Sequence, residues 1–583
     1  MAKQAHRIAK NFKPTIKGRL VLISVLFALY GLGLVARLFY LQILQHDELV
    51  AQSAKQYLKT ANIFYGRGII YDRNKGELAS NIEVESVYVT PQEILEKKQT
   101  ARTLATVLRL KYSTVYKKLS TAKTFVWIKR KCPPSETEFL RRKNLPGVGF
   151  ISEHQRFYPK RQLASSVIGF VGLDNQGLAG VEHHYRSRLK GATVRTVMEK
   201  DARGRYIRTF DESSKQDSAS HDMVLAIDEV IQFTTEYHLK KQIKKYRAKG
   251  GMAIVMDPNT GEIYALANEP KFNPNNYAAF PSRAWTNKSV SNAFEPGSIF
   301  KPIVASAALE LGVARPNDIF FCENGKFKLG QVLPVFGEAS SHEFGWLSMR
   351  QIIAKSSNIG AIKIAQQVGE KNFYHYIQKF GFGKKTNIGL PGESAGQFKN
   401  VSQWSARSLA SISFGHEIGV TPLQMATALS AIANGGNLMQ PRIVKAVLKN
   451  DLRVETFPPK VVGRVISKRT SRQMVDILKS VVKEGTGAKA ALKGYDVAGK
   501  TGTAQKFDPK TRSYSKTAFL SSFIGFVPAD AARLVILVMI DEPQGSYWGG
   551  TVAAPVFKNI AKQALRYLNV PSKEERVYIL ERA

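Results

Sequence analysis

A long apolar stretch near the N-terminus constrains this chain more than any other feature. Residues from Leu20 to Ala36 include no charged side chain, and after Arg37 the apolar character continues to Leu44. A helix of about 20 apolar residues spans the hydrocarbon core of a bilayer, and an arginine near one end can extend its charge toward the headgroups. The sequence therefore predicts one transmembrane helix at residues 20–44.

The flanks of this stretch predict its orientation. Residues 1–19 carry basic side chains and no acidic one, whereas His46, Asp47 and Glu48 follow the stretch. Because basic loops stay cytoplasmic, we expect a cytoplasmic tail at 1–19 and a location beyond the membrane for the rest of a single-pass protein. A cleaved signal peptide is the alternative, but the apolar stretch is long for one and no small-residue cleavage site directly follows it.

Length, charge and cysteine content limit the remaining possibilities. A chain of 583 residues is typical of two or three domains. The formal net charge of +39 is compatible with nucleic acid, lipid headgroups or an acidic polymer. Nucleic acid is disfavoured, since there is no zinc-finger spacing, basic zipper or aromatic RNA-binding strand. Cys132 and Cys322 lie far apart, so neither a disulfide framework nor a metal cluster is indicated.

The sequence changes character near residue 220. Residues 45–222 mix strand-like runs with charged helical segments, and the polar segment 211–220 predicts a loop or hinge. We expect one domain at 45–222, a second at 223–568 and a short tail at 569–583. In the second domain the patterns predict a strand at 223–227, a helix at 229–246, a hairpin at 252–266, helices at 302–311, 349–367 and 422–433, and strands at 495–505, 521–527 and 533–540. An early hairpin, a helical middle and late strands favour an α/β fold in which helices pack on an antiparallel sheet.

The segment Ser298-Ile-Phe-Lys301-Pro302 carries the first chemical signal. Proline is tolerated only in the first turn of a helix, so Pro302 predicts a helix that begins close to Ser298. Positions three apart share a helix face, which places Lys301 beside the Ser298 hydroxyl. Unpaired N–H groups in the first turn favour a developing alkoxide. The alternative is a capping serine followed by a surface lysine.

Two further motifs complete a constellation. In Ser356-Ser-Asn358, the Ser356 hydroxyl is suited to relay a proton and Asn358 to bind a substrate amide, although a simple helix cap is the alternative. In Lys500-Thr-Gly-Thr503, a strand with an internal glycine is typical of close backbone approach, either to a substrate or in a kinked structural strand. We expect Lys500, Thr501 and Thr503 to hold a substrate carboxylate, with Gly502 giving the backbone room for it.

Together the three motifs indicate acyl transfer through a serine ester. Ser298 is the predicted nucleophile and Lys301 its base. The backbone N–H groups of Ser298 and Thr503 are the predicted oxyanion hole. Burial and the charge of Lys500 are both expected to lower the pKa of Lys301 and so make it a base near neutral pH.

With their contexts, Phe294-Glu-Pro-Gly-Ser298-Ile-Phe-Lys301-Pro302 and Ala498-Gly-Lys500-Thr-Gly-Thr503-Ala504, these motifs resemble class B penicillin-binding proteins. The resemblance extends to about residue 565 and includes Arg67–Asn74, Arg156–Pro159, Gly177–Glu182 and Asp257–Glu262. The segment Tyr547–Phe557 is most similar to the division-specific subgroup.

This resemblance implies a penicillin-binding transpeptidase fold on an N-terminal pedestal and a D,D-transpeptidase without a cofactor or metal. It implies that peptidoglycan stem peptides ending in D-Ala-D-Ala are the substrates and that β-lactams acylate Ser298. It also implies a partner, a membrane glycosyltransferase of the FtsW type, together with other division proteins, because no polymerising segment fits before residue 222. The alternatives are an elongation-type transpeptidase, a D,D-carboxypeptidase or β-lactamase, and a non-catalytic scaffold. Intact Ser298, Lys301 and Lys500 disfavour the scaffold.

Overall fold

The computed structural model of the protein describes residues 2–64, 66–191, 193–200, 206–207, 220–330, 332–339, 342–508, 511 and 513–575. The loop predicted at 211–220 lies outside these ranges except for its last residue. The chain forms two compact units, one comprising Met1–Tyr65 with Ala192–Ser218 and the other Gly66–Gly191 with Ala219–Ala583.

The helices and strands are numbered separately in chain order. The α-helices are α1 (Ala2–Phe39), α2 (His46–Tyr57), α3 (Lys97–Val107), α4 (Tyr112–Leu119), α5 (Pro134–Lys143), α6 (Ser165–Ile168), α7 (Gly180–His184), α8 (Arg186–Leu189), α9 (Glu229–Lys245), α10 (Lys288–Ser291), α11 (Lys301–Glu310), α12 (Met349–Lys355), α13 (Asn358–Val368), α14 (Glu370–Lys379), α15 (Ser408–Ser413), α16 (Pro422–Ala433), α17 (Lys468–Lys483), α18 (Gly549–Val552) and α19 (Ala554–Tyr567). The strands are β1 (Leu58–Phe64), β2 (Ile70–Tyr71), β3 (Glu77–Val89), β4 (Val126–Cys132), β5 (Val148–Phe157), β6 (Thr193–Lys200), β7 (Tyr206–Ile207), β8 (Asp222–Leu225), β9 (Gly250–Met256), β10 (Ile263–Glu269), β11 (Ile319–Phe321), β12 (Lys326–Leu329), β13 (Val332–Gly337), β14 (Trp346–Ser348), β15 (Asn437–Met439), β16 (Val444–Lys449), β17 (Leu452–Thr456), β18 (Val461–Arg464), β19 (Ala498–Asp508), β20 (Ser513–Val527) and β21 (Leu534–Asp541).

The first unit holds the apolar N-terminal helix. The helical stretch Lys17–Leu44 has 28 residues and is long and apolar enough to cross a membrane. Its last five residues, Tyr40–Leu44, form a π-helical turn. The unit also contains α2 and a three-stranded sheet in the order β1-β6-β7.

The central sheet of the second unit has five antiparallel strands in the order β10-β9-β21-β20-β19. Because side chains alternate along a strand, β21 sends Ile536 and Val538 toward α9 and α19, and Leu537 and Met539 toward the helices of the main core. Both faces are therefore covered, which explains why the late strands are continuously apolar. The predicted α/β fold, an antiparallel sheet flanked by helices, is confirmed.

A second sheet joins the N-terminal part of this unit to the part that follows residue 220. Its strand order is β17-β16-β8-β2-β3-β4. Strand β5 also pairs with β3, on the side opposite β4. Strand β2 runs parallel to β8, with Ile70 opposite Met223, and the other pairs are antiparallel.

A buried ionic cluster holds three of the recognised motifs together. Both carboxylate oxygens of Glu182 accept hydrogen bonds, one from Arg67 Nε and the other from Arg156 Nε at 2.6 Å. Arg67 Nη2 also donates to the Glu182 carbonyl at 2.6 Å, and all three side chains are at most 3% exposed. One carboxylate therefore hydrogen-bonds two buried guanidinium groups, which is a structural role.

We expect Glu182→Gln to lower the free energy of unfolding by about 3–5 kcal/mol, because removing one member of a buried ion cluster leaves uncompensated charge. Urea denaturation followed by tryptophan fluorescence measures the change. Glu83→Gln, on the exposed face of β3, is the matched control and should change the value by less than about 0.5 kcal/mol. Equal effects in the two variants would contradict the structural role of the cluster.

Candidate active site

The predicted nucleophile lies on a short turn in front of a buried helix. Residues Gly297–Phe300 form a 3-10 turn, and α11 begins at Lys301 with Pro302 in its first turn, where a missing N–H costs no hydrogen bond. Gly297 has a φ of +55°, which suits glycine and turns the chain into the helix. Ser298 is half-buried and Lys301 is completely buried, three positions further along.

The second motif divides two helices. A continuous helix over 349–367 was predicted, and this is wrong: α12 ends at Lys355, Ser356 follows with a φ of +64°, and α13 begins at Asn358. Ser357 caps α13, since its Oγ accepts a hydrogen bond from Gly360 N at 2.9 Å. The break leaves the side chain of Ser356 free of both helices, and the middle serine of the motif serves the fold.

The Ser356 hydroxyl is the point at which the three motifs meet. Lys500 Nζ donates to Ser356 Oγ at 2.7 Å, and Lys301 Nζ lies 3.3 Å from the same oxygen. Lys301 Nζ also donates to the Ser356 carbonyl at 2.5 Å and to Asn358 Oδ1 at 2.8 Å. The structure thus brings Lys301, Ser356, Asn358 and Lys500 together at one place, beside the turn that carries Ser298.

Both lysines are fully buried, which disfavours their charged forms. Burial lowers the pKa of Lys301 to about 7, against the opposing effect of the nearby Glu338 carboxylate. Burial lowers the pKa of Lys500 well below its ordinary value, and the charge of Lys301 lowers it further. The lowering of the pKa of Lys301 by burial agrees with the expectation from the sequence. Two buried amines that meet at one hydroxyl repel each other when both are charged, so their titrations are coupled.

Strand β19 forms the wall opposite Ser356 and lies at the edge of the central sheet. A Cβ on Gly502 would lie 2.3 Å from Ser522 Oγ and 2.9 Å from Ile299 Cγ2, so only glycine lets the nucleophile turn pack this closely. Thr503 Oγ1 accepts a hydrogen bond from Gly549 N at 3.1 Å, which leaves its own O–H to donate. Thr501 is buried, and its hydroxyl pairs with that of Thr486 at 2.6 Å.

Glu338 is a contributor to the site that sequence reasoning missed. Its carboxylate accepts hydrogen bonds from the Ser357 hydroxyl, from Asn358 N at 2.6 Å and from Ile359 N at 3.2 Å. An anion at the N-terminus of α13 is favoured by the helix dipole and holds the second motif in place. Glu338 sits in a polar loop after β13, and no local pattern distinguishes it from any other loop acid.

A second group that sequence reasoning missed surrounds Glu295, two residues before the nucleophile turn. Glu295 Oε1 accepts hydrogen bonds from Tyr514 Oη at 3.0 Å and from Glu417 N at 2.9 Å, and Glu295 Oε2 lies 3.8 Å from His416 Nδ1. Burial lowers the pKa of His416, and the charge of Lys301 lowers it further. These residues come from three separate segments, so their meeting follows from the tertiary fold alone.

Family models match most of the chain. The penicillin-binding protein dimerisation domain matches residues 63–225, and the penicillin binding protein transpeptidase domain matches residues 251–562. The two matches follow one another in the order that the sequence predicted.

Known proteins of similar sequence and structure agree with these two family matches. It is 32% identical over 547 residues to the peptidoglycan D,D-transpeptidase FtsI of Escherichia coli K12, covering 92% of this chain and 90% of that protein. It is 33% identical over 572 residues to the stage V sporulation protein D of Bacillus subtilis, covering 97% and 88%. The crystal structure of penicillin binding protein 3 from Mycobacterium tuberculosis, complexed with aztreonam, superposes with a TM-score of 0.68 at 29% identity, covering 88% of this chain and 98% of that one.

Proposed function

This chain belongs to the class B penicillin-binding proteins and is a peptidoglycan D,D-transpeptidase, and from this premise we propose that Ser298 is its nucleophile and Lys301 its base. The observation that carries the proposal is the convergence of two buried amines on the Ser356 hydroxyl, next to the turn of Ser298. A lysine pair with a structural role would be expected to hydrogen-bond a carboxylate, and neither amine does so among the described residues.

In the acylation step, Ser298 Oγ attacks the carbonyl of the penultimate D-Ala and its proton passes to Lys301 Nζ. The oxyanion is held by the N–H groups of Ser298 and Thr503, each worth on the order of 10²–10³ in rate. The amide bond then breaks, and the leaving amine of the terminal D-Ala receives a proton through Ser356. In the second step an amine of a neighbouring stem attacks the ester, the bond to Ser298 Oγ breaks, and the cross-link forms as the proton returns to the serine.

Substrate binding favours the neutral form of Lys301, in which it can act as the base. Its terminal carboxylate, held by Lys500 and by the free O–H of Thr503, favours protonation of Lys500 because opposite charges stabilise each other in a buried site. Because two neighbouring buried charges repel each other, that protonation favours the neutral form of Lys301. The second N–H of Asn358 Nδ2, whose first donates to the Gly337 carbonyl at 3.0 Å, is available for the substrate amide. Thr501 acts by supporting the strand, through Thr486.

The fate of the ester separates this function from hydrolysis. We expect the penicilloyl ester to persist for hours, whereas a β-lactamase clears it in seconds. With a D-Ala-D-Ala pentapeptide as donor and a D-amino acid as acceptor, mass spectrometry should detect the exchanged peptide as the main product. Release of tetrapeptide alone, without exchange, would assign the protein to the D,D-carboxypeptidases instead.

For its place in the cell, the proposal is a single-pass protein of the inner membrane that acts in septal wall synthesis with an FtsW-type glycosyltransferase. The apolar stretch Lys17–Leu44 and the likeness to FtsI support it. The cytoplasmic tail would be 1–19, the pedestal 45–222, the transpeptidase domain 223–568 and the tail 569–583. Depletion in the native bacterium should block division and leave elongation intact. Loss of elongation with normal septa would instead indicate the elongation-type role.

A further inference from the structure

A cavity lies on the second sheet, and none of the residues of the serine site line it. It has a volume of about 650 Å³ and is bounded by strands from both halves of the second unit. Its floor is formed by Val224, Ala446 and Leu448, which together with Tyr71 form an apolar cluster separate from the main core. Alternate residues of the same strands, such as Met223 and Val447, point to the main core on the opposite face. The cavity therefore occupies the otherwise open face of this sheet.

Basic side chains surround this floor, and one acidic residue, Asp451, is among those that line the cavity. The basic residues are Arg73, Lys75, Arg442, Lys445 and Arg453. Two of them come from the recognised segment Arg67–Asn74 and the residue after it, and three from β16, β17 and the chain before them. The wall is completed by Phe457 and Pro458.

These cations are only partly compensated. A single carboxylate, Glu262, lies 2.7 Å from Arg442 Nη2, 3.4 Å from Arg73 Nη2 and 3.8 Å from Lys445 Nζ. Lys75 and Arg453 form no ion pair with a carboxylate of the described residues. Arg73 Nη1 and Arg442 Nε are buried without a hydrogen-bond partner in the described part of the chain. The side chains of Lys75 and Arg453 are exposed and have no carboxylate partner among the described residues, so an anion in the cavity would supply one.

We propose that this cavity binds a phosphate ester with a hydrocarbon portion. Several cations around one space favour a group with more than one negative charge, and guanidinium groups match the oxygens of phosphate. The apolar floor fits a hydrocarbon chain, and the volume is in the usual range of about 300–1,000 Å³ for small-molecule sites. Such a compound would contact Arg73 and Lys75 on one side and Arg453 on the other, and so would join the two halves of the unit.

The test uses the full chain in a neutral maltoside detergent and isothermal titration calorimetry with three probes: inorganic diphosphate, glycerol 3-phosphate and dihexanoyl phosphatidate. We expect all three to bind, with dihexanoyl phosphatidate the tightest because it alone covers the floor. Tighter binding of dihexanoyl phosphatidate identifies a phospholipid as the natural source. Equal affinity for glycerol 3-phosphate identifies a soluble phosphate ester and overturns the role of the floor.

Two variants and a control decide whether the cavity is the binding site. Lys75→Gln and Arg453→Gln should each weaken binding of dihexanoyl phosphatidate about tenfold, since each removes one charge-assisted hydrogen bond. Lys460→Gln removes an exposed lysine outside the cavity and should leave the dissociation constant within about twofold of its original value. Undiminished labelling by a fluorescent penicillin shows that each variant is folded. Absence of binding at millimolar probe, or equal weakening in Lys460→Gln, would overturn the proposal.

Discussion

Replacing Ser298 with alanine is expected to abolish acylation by penicillin and to lower transpeptidation by at least about 10⁴-fold, as the loss of a catalytic nucleophile does in serine enzymes. The reason is that the two serines of the second motif are engaged elsewhere: Ser356 Oγ accepts a hydrogen bond from Lys500, and Ser357 caps α13 and donates to Glu338. The measurement is labelling of the full chain by a fluorescent penicillin, followed by turnover of a D-Ala-D-Ala pentapeptide.

Ser291→Ala provides a matched control, because its hydroxyl contacts only the neighbouring Asn292 side chain among the described residues. It should label at the original rate. Digestion of the labelled original protein and mass spectrometry should place the adduct on the peptide that contains Ser298. Labelling that survives in Ser298→Ala, or an adduct on any other peptide, would remove Ser298 from the reaction.

Local signals in the sequence predicted much of the fold. The hairpin at 252–266, the helix at 422–433 and the late strands depend on turn residues, a capping Thr421 with Pro422, and continuous apolar runs, all of which act over a few residues. At 349–367 the apolar spacing predicted one helix, whereas the helix-cap alternative for Ser356-Ser-Asn358 predicted the helix start that the structure shows; the break falls at Ser356. Its left-handed backbone is held by partners far away in sequence: Lys500 on the Ser356 hydroxyl and Glu338 on the start of α13.

In the active site, too, the sequence predicted what depends on local motifs and missed what depends on contacts between distant segments. The motifs named Ser298, Lys301, Ser356 and Lys500, since each occurs in a recognisable local context. The sequence could not show that Glu338 opposes the lowering of the pKa of Lys301, because no local pattern places this carboxylate near the amine. It also could not show that Arg67, Arg156 and Glu182 form one buried cluster, since these residues lie on three segments that only the fold brings together.

Replacing Lys301 with arginine is expected to slow acylation by about 10²–10⁴-fold, the usual contribution of a general base. Arginine keeps the positive charge, but a guanidinium group does not release its proton at accessible pH. The measurement is the second-order rate constant of acylation by a fluorescent penicillin at pH 8. Lys363→Arg is the matched control, because Lys363 pairs with Glu323 in the turn between β11 and β12; this variant should be acylated at the original rate.

The pH dependence of the original protein gives an independent check on this base. The pKa of Lys301 is lowered to about 7, so the neutral amine is the minor form below that pH and the major form above it. Acylation should therefore rise between pH 6 and 8 with a midpoint near 7, whereas an unperturbed lysine would place the midpoint near 10.4. Lys301→Gln, which has no titrating group and fits the buried position without a charge, should lose this rise together with the activity. A profile with the same midpoint in Lys301→Gln, or acylation at the original rate in Lys301→Arg, would show that another group accepts the proton of Ser298.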